Sequence, residues 1–464
     1  MRNVYSFSFG LMWMVAGCSV DAPYGGVDEP STVTTTETTT TQSTTTSGET
    51  EVSPEGWTIG PDLPACTPTV GTGDFVALSG VILTASGPKA GSLVYSQVSG
   101  YISCAGTNCD TTDATVVCTE GVVSAGLIDA HDHMQYNVIP PWQHESLFGD
   151  RYDWQSDGDY WDYRTAYDAI EDSYGCEIMR WGELRGLAGG ATAVVGSSGD
   201  DDCIAGVMRN LDEGYTAHGL DNYFLDYGSS NVTNYDEGDG AGSVSDLESG
   251  YWDAVLDHVS EGVGGNVTRE LDHMADIGML GDGFAYVHAT DATTEQFARM
   301  ADTQTALVWS PRSNLDLYAA TTSADVAVAL GVPLAIGPDW TWSGSTSPSH
   351  EANCAVDYLQ ARGSFAEAVS DVQLHAALTS DAAQVVGADG QIGALTPGTS
   401  ADFSVFAWSN EPYRAVLEAE NSDVRLVGVQ GQALYGDINL MSAIQEGECE
   451  TLSGCAGDFT YCPN

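Results

Sequence analysis

Residues 126–134 read GLIDAHDHM, an apolar run that ends in two histidines, His131 and His133, one residue apart. The chain has only nine histidines in 464 residues. On a β-strand alternate side chains share a face, so His131 and His133 point one way and Asp132 the other. Two imidazoles on one face can hold a metal ion. Two solvated histidines at the end of a strand fit the same letters, and the motif alone does not choose between them.

Working outward from this stretch, apolar strand-like runs alternate with helix-like ones. ATAVVGSS, YWDAVLDH, FAYVHA, ALVWSP and VPLAIGPD are the former; AIEDSYGCEIMRWGELRGLAGG, TTEQFARMAD and SADVAVALG are the latter. Such alternation predicts an α/β fold with a parallel sheet. Residues 126–392 suit one (β/α)8 TIM barrel with insertions, a fold that takes about 250 residues and carries its chemistry at the C-terminal ends of the strands. The polar exceptions fall there: His131 and His133 end the first strand, His258 ends YWDAVLDH, His288 ends FAYVH, and Asp339 ends VPLAIGPD. Four imidazoles and a carboxylate at strand ends point to one shared site. Residues 66–125 and 393–440 read instead as short strands and turns, and predict a small β-sandwich domain built from the N- and C-terminal flanks.

GLIDAHDH, HVSE, VHATD, WSPRSNLDLY and GPDW, in that order, resemble the amidohydrolase superfamily in its chlorohydrolase and nucleobase-deaminase branch. The flanks VVSAGLIDAH and GALTPGTSADFSVF resemble that family's sandwich strands, so the likeness runs from about Gly73 to Asp437. It implies that His131, His133, His258 and Asp339 bind one divalent ion, zinc or iron in this branch, that activates a water. It further implies that Asp339 takes the water's proton, that Glu261 protonates a ring nitrogen and then the leaving group, and that His288 steadies the intermediate by charge-assisted hydrogen bonding. The expected substrate is a small molecule and the expected reaction deamination of a nitrogen heterocycle. Hydrolysis of a linear or cyclic amide, as in imidazolonepropionase-like relatives, uses the same groups, and a catalytically silent exported binding protein is the reading from another class. Binuclear members of the superfamily bridge their metals with a carboxylated lysine, and the only lysine here is Lys89, ahead of the first barrel strand. Two residues depart from the branch pattern and are expected to alter the pocket: Trp309, where many deaminases have histidine, and Trp340, directly after the metal carboxylate. The aromatic segment 136–167 that follows the first strand reads equally as a lid over the site and as an insertion with its own small core, and His144 within it as structural or solvated.

The N-terminus, MRNVYSFSFGLMWMVAGCSV, resembles a bacterial lipoprotein signal. Residues 1–17 are the expected signal peptide and Cys18 the lipidated residue, because the apolar run is shorter than the ~20 residues of a spanning helix. Residues 18–65 are expected to be a disordered tether: twelve threonines between positions 31 and 50, and no large apolar residue, leave nothing to bury. The expected location is the bacterial cell envelope, with the membrane met only through the lipid. Ten cysteines beyond Cys18 favour disulfides in an exported chain, with a cysteine-rich tail over 441–464. Sixty-six acidic against thirteen basic residues give a net charge of −53, which repels nucleic acid and argues against it as a partner.

Overall fold

Strands β1 (Phe75–Thr84), β2 (Gly87–Ser96), β3 (Ile102–Gly106) and β4 (Thr115–Ala125) precede the HxH stretch. In this computed structural model residues 50–197, 201–204, 207–228, 231–265, 267–444, 449–454 and 457–462 are described. The expected signal peptide, Cys18, the threonine-rich run up to residue 49 and Cys455 lie outside them. Eight short strands follow: β5 (Leu127–Asp129), β6 (Ala191–Val194), β7 (Arg209–Asn210), β8 (Leu225–Gly228), β9 (Ala254–Val259), β10 (Phe284–His288), β11 (Ala306–Trp309) and β12 (Leu334–Ile336). The chain ends with β13 (Phe403–Ala407), β14 (Val424–Val429), β15 (Gln432–Asp437), β16 (Glu450–Gly454) and β17 (Gly457–Tyr461).

The eight middle strands are paired in parallel, and β5, β6 and β9 to β12 are buried on both faces, which is why they read as nearly unbroken apolar runs. Period-two alternation sorts them. Ala254 and Leu256 of β9 join Ala285, Val287, Val308 and Ala335 in one buried cluster. Their neighbours Val255, Tyr286 and Leu307 join another, with helix residues such as Leu271, Met274, Phe297 and Met300. The closed barrel expected from sequence is not formed as a continuous ladder among the described residues. β8 to β12 make a five-stranded sheet and β5, β6 and β7 a three-stranded one. β7 is two residues long and pairs only with β6, so it offers no length of edge to β8. β12 and β5 approach more closely: the Ala130 amide donates to the Ile336 carbonyl at 3.4 Å, and the Asp339 amide to the His131 carbonyl at 2.8 Å. A Cβ at Gly337 would lie 2.5 Å from the Cβ of His131, so glycine is what lets these two strand ends meet.

The flanks do combine, but edge to edge. β4 pairs in parallel with β1 and antiparallel with β13, Phe403 facing Ala125. With both edges of β4 occupied, the N-terminal strands continue into the C-terminal ones as a single nine-stranded ladder, so the two flanks expected to build the small domain share one sheet. β17 pairs with β15 and β16 with β17, so the cysteine-rich tail extends that sheet, and Cys449–Cys462 closes it. Further disulfides join Cys66 to Cys118, Cys104 to Cys109 and Cys176 to Cys203.

Residues 50–65, assigned from sequence to the tether, are corrected by the structure. Trp57 is 1% exposed and stacks near Phe365. The amide and hydroxyl of Thr58 donate to the Asp371 carboxylate at 2.6 and 2.9 Å. One large aromatic supplies the apolar area that the threonine run before it lacks. Among the described residues no helix is long and apolar enough to cross a membrane.

Candidate metal centre and active site

The aspartates around the HxH pair orient it. Asp129 accepts the His131 amide at 3.2 Å; Asp132 accepts the His133 amide at 2.7 Å and both bonds of the Asn137 amide group, at 2.8 and 2.9 Å. Asp132 thus turns toward Asn137 and Arg185 while His131 and His133 face the other way, as alternation predicts. His131 meets His258 with 3.0 Å between their Nε2 atoms, and the Asp339 Oδ1 lies 3.7 Å from Nε2 of both His131 and His133. His288 belongs to the same cluster, its ring nitrogen close to those of His131 and His258. Glu261 completes it, with Oε2 3.8 Å from the His288 Nε2. The six residues singled out in the sequence therefore form one cluster: His133, His258, Glu261, His288 and Asp339 line a cavity of about 170 Å³, and the fully buried His131 touches them from behind that lining.

The backbone at these positions is unusual. Ser260, His288 and Asp339 have φ of 56°, 70° and 66°, in the left-handed region that non-glycine residues rarely adopt. These residues sit where a strand turns sharply out of the sheet. Strain of this kind persists when surrounding structure dictates the turn.

Three of the imidazoles, those of His131, His258 and His288, are fixed by a partner on the far nitrogen. His258 Nδ1 lies 3.1 Å from the Gly228 carbonyl, which can only accept, so Nδ1 carries the proton and Nε2 keeps its lone pair. His288 Nδ1 is 2.8 Å from Asn314 Oδ1, and His131 Nδ1 3.0 Å from the Ser310 hydroxyl. Burial and the neighbouring imidazoles hold His131 and His258 well below the usual histidine range; burial brings His133 down to about 4 and His288 to about 3. The rings are neutral at pH 7, the form that ligates metal. Burial drives Asp339 the other way, well above the usual carboxylate range, against the Ser313 hydroxyl that donates to its Oδ2 at 2.6 Å. Neutral imidazoles crowded around a desolvated carboxylate suit a divalent cation, which satisfies the lone pairs and the carboxylate together.

No family model matches the chain. Over 141 residues it is 29% identical to a 5-methylthioadenosine/S-adenosylhomocysteine deaminase of Teredinibacter turnerae, covering 29% of this chain and 30% of that protein. Over 180 residues it is 28% identical to an 8-oxoguanine deaminase of Pseudomonas aeruginosa, covering 37% and 40%. The aligned stretches thus span about a third of the length of these relatives. The structure of an adenosine deaminase from Xanthomonas campestris with bound zinc superposes with a TM-score of 0.62 at 17% identity, over 79% of this chain and 93% of that one. The chain resembles the deaminases of the amidohydrolase superfamily in both sequence and fold.

Within this fold, several groups escaped the sequence reading. Helix Pro311–Tyr318 begins with proline and buries Ser313, Asn314, Leu317 and Tyr318. With Ser310 just before it, that helix supplies a partner to His131, to Asp339, to His288 and to Glu261. Tyr318 donates to Glu261 Oε1 at 2.7 Å, and the Trp154 indole donates to the same oxygen at 3.2 Å. The i, i+3, i+4 spacing of Ser310, Ser313 and Asn314 within SPRSNLDLY was the available signal. Trp309 is corrected: fully buried, it donates through Nε1 to the Thr321 hydroxyl at 2.8 Å and packs in the outer cluster, away from the cavity lining. Its influence is indirect, because Asn314 donates to that same hydroxyl at 3.3 Å. Trp340 does line the cavity.

The aromatic segment forms a small core and also reaches the site. Ile139, Trp142, Trp154, Tyr160 and Tyr167 cluster with Trp340 and Trp342. Arg151, Trp154, Tyr160 and Arg164 from the same segment line the cavity. His144 is paired with Asp316 at 2.9 Å outside it. Lys89 lies on β2 opposite Ile82, in the nine-stranded sheet.

Proposed function

We propose that this chain is a mononuclear, metal-dependent hydrolase that deaminates a nitrogen heterocycle. The observation that carries the reading is the clustering of His131, His133, His258 and Asp339 with Glu261 and His288, five of them lining one cavity. Likeness to two deaminases supports the same chemistry. His131, His133, His258 and Asp339 would hold the ion. When bound, zinc or iron supplies a water acidified toward pKa ~7.

The chain's own groups then divide the proton work. Asp339 accepts a proton at Oδ1, the oxygen that faces His131 and His133, because Oδ2 is occupied by Ser313. Glu261 has Oε1 pinned by Tyr318 and Trp154, which leaves Oε2 to give its proton to a ring nitrogen, to regain one from His288, whose Nε2 lies 3.8 Å away, and to pass that second proton to the departing amine, the proton on Asp339 restoring Glu261 for the next turnover. Addition of the water oxygen to the ring carbon and loss of ammonia leave the ring intact with a carbonyl in place of the amine. His288, neutral with its proton on Nδ1, starts as an acceptor at Nε2. It becomes the charge-assisted donor expected from sequence only after taking a proton from the attacking oxygen. The aromatic walls Tyr136, Trp154 and Trp340 suit a flat ring. Export and anchoring through Cys18 belong to the same proposal, on the sequence of residues 1–18; Cys18→Ser is expected to release the protein from the membrane fraction or block its processing.

The test is metal content and product identity. Purified protein should hold about one divalent ion per chain, and His258→Ala should lose most of it. Ammonia released with the ring intact supports deamination; a new carboxylate from ring or chain opening, or a stoichiometry near two, overturns it.

A further inference from the structure

Two arginines line the cavity, and they differ in how fully their charge is used. Arg151 donates to the Glu270 carboxylate at 2.9 Å and to the His258 carbonyl at 2.8 Å, so it is consumed by the scaffold. Arg164 has one acidic neighbour, Asp168, at 4.0 Å and 60% exposed, a pairing that solvent screens to little effect. Its guanidinium carbon lies 4.8 Å from the centre of the Tyr136 ring, and its buried Nε has no acceptor. The buried Oε1 of Gln135 has no donor either, and both residues line the cavity. In a chain with thirteen basic residues and a net charge of −53, a cation that lines the cavity with only a screened acidic partner stands out.

A guanidinium lying against an aromatic ring presents its N–H edge in a plane, the geometry that recognises a carboxylate through two parallel hydrogen bonds. His133, His258 and Asp339 line the same cavity as the flat apolar rings of Tyr136, Trp154 and Trp340. We propose that Arg164 recognises an anionic oxygen group of the substrate, which is a flat heterocyclic amine bearing a carboxylate or an equivalent anion away from the amine. The inference rests on the deaminase reading above and names its substrate class. The Gln135 carbonyl oxygen accepts a ring N–H. The summed negative field of the chain opposes anions in general, so the local arginine selects those that also fit the cavity.

The test uses full-length, metal-loaded protein and two matched substrates, an aminopyrimidine and the same ring bearing a carboxylate, with ammonia release as readout. The wild type is expected to favour the carboxylate in kcat/KM by about tenfold or more, the worth of one charge-assisted pair. Arg164→Gln should abolish that preference, mainly through KM, and Arg164→Lys should restore part of it. Calorimetric binding of the pyrimidine carboxylate without the amine gives a readout independent of turnover, and Arg164→Gln should weaken it by a similar factor. Turnover of both amines with no preference, or a preference unchanged in Arg164→Gln, overturns the anion subsite and leaves the deaminase reading standing. Turnover of neither amine, with carboxylate binding that Arg164→Gln weakens, overturns the deaminase reading and keeps the subsite. Absence of carboxylate binding to the wild type overturns the subsite outright.

Discussion

Asp402 and Asp339 are both buried carboxylates, and their surroundings could hardly differ more. Asp402 takes two bonds from Arg209, at 2.6 and 3.0 Å, with further donors from the Ser400 hydroxyl and the Gln430 amide at 2.9 and 2.8 Å. Arg209 also donates to Ser400 and to the His218 carbonyl, so every charge there is answered within the chain, and β7 is pinned beside β13. Asp339 has one donor, Ser313, and faces the neutral imidazoles of His131 and His133. The first region is complete as folded. In the second the chain supplies no countercharge to the buried carboxylate, and that difference is what separates a candidate site from a staple.

The largest effect expected is catalytic. Glu261→Gln should lower kcat by about 100 to 10,000-fold, the usual worth of a general acid and base, while metal content stays at the wild-type level. Equal turnover in that variant would remove the acid from the mechanism. Breaking the staple should do the reverse. Asp402→Ala leaves Arg209 buried and unpaired, at a cost of about 3–5 kcal/mol in denaturant unfolding, with metal per folded chain unchanged. If it instead loses metal at full stability, the two regions are not separable. Ser313→Ala removes the one bond to Asp339 Oδ2 and should weaken metal binding by about 10 to 100-fold in a chelator competition.

Glu183 sharpens the contrast from between the two. It is fully buried outside the cavity lining, accepts one bond from Asn210 at 2.9 Å, and has no partner for its second oxygen. Burial pushes its carboxyl up to about 8. Folded Glu183 therefore keeps a proton that the unfolded chain has lost, so stability falls as pH rises from the ordinary carboxylate range toward 8. Glu183→Gln should stabilise the protein by about 1–2 kcal/mol at pH 8 and by almost nothing in acid, where the native side chain is itself neutral. Thermal melts at both pH values check this, and an equal gain at both would mean that the carboxyl is not the cause.

His131, His133, His258, His288 and Asp339 could be found in the sequence because each polar residue interrupts or ends an apolar run, and Glu261 because it follows His258 at a fixed spacing. Tyr318, Ser313 and Asn314 stood in a segment singled out for likeness, yet their partners are not neighbours in sequence: Tyr318 meets Glu261 across 57 positions. Trp154 and Arg164 carry no spacing signal at all. β7, two residues with arginine and asparagine, has no strand signature, and its brevity leaves the parallel strands in two ladders. Trp57 was masked by the threonine-rich context before it.

By itself the sequence determined the strand and helix periods, the polar residues at strand ends, the exclusion of a lysine-bridged metal pair, and the charge that disfavours nucleic acid. These follow from backbone geometry and composition, which act along the chain. Only the tertiary structure decided that the flanks share one sheet, that helix Pro311–Tyr318 buttresses four site residues, and that Arg164 reaches the cavity while Trp309 does not. Hydrogen-bond pairing between strand edges and the direction of a buried side chain are set by groups distant in sequence, whose contacts exist only once the core has closed.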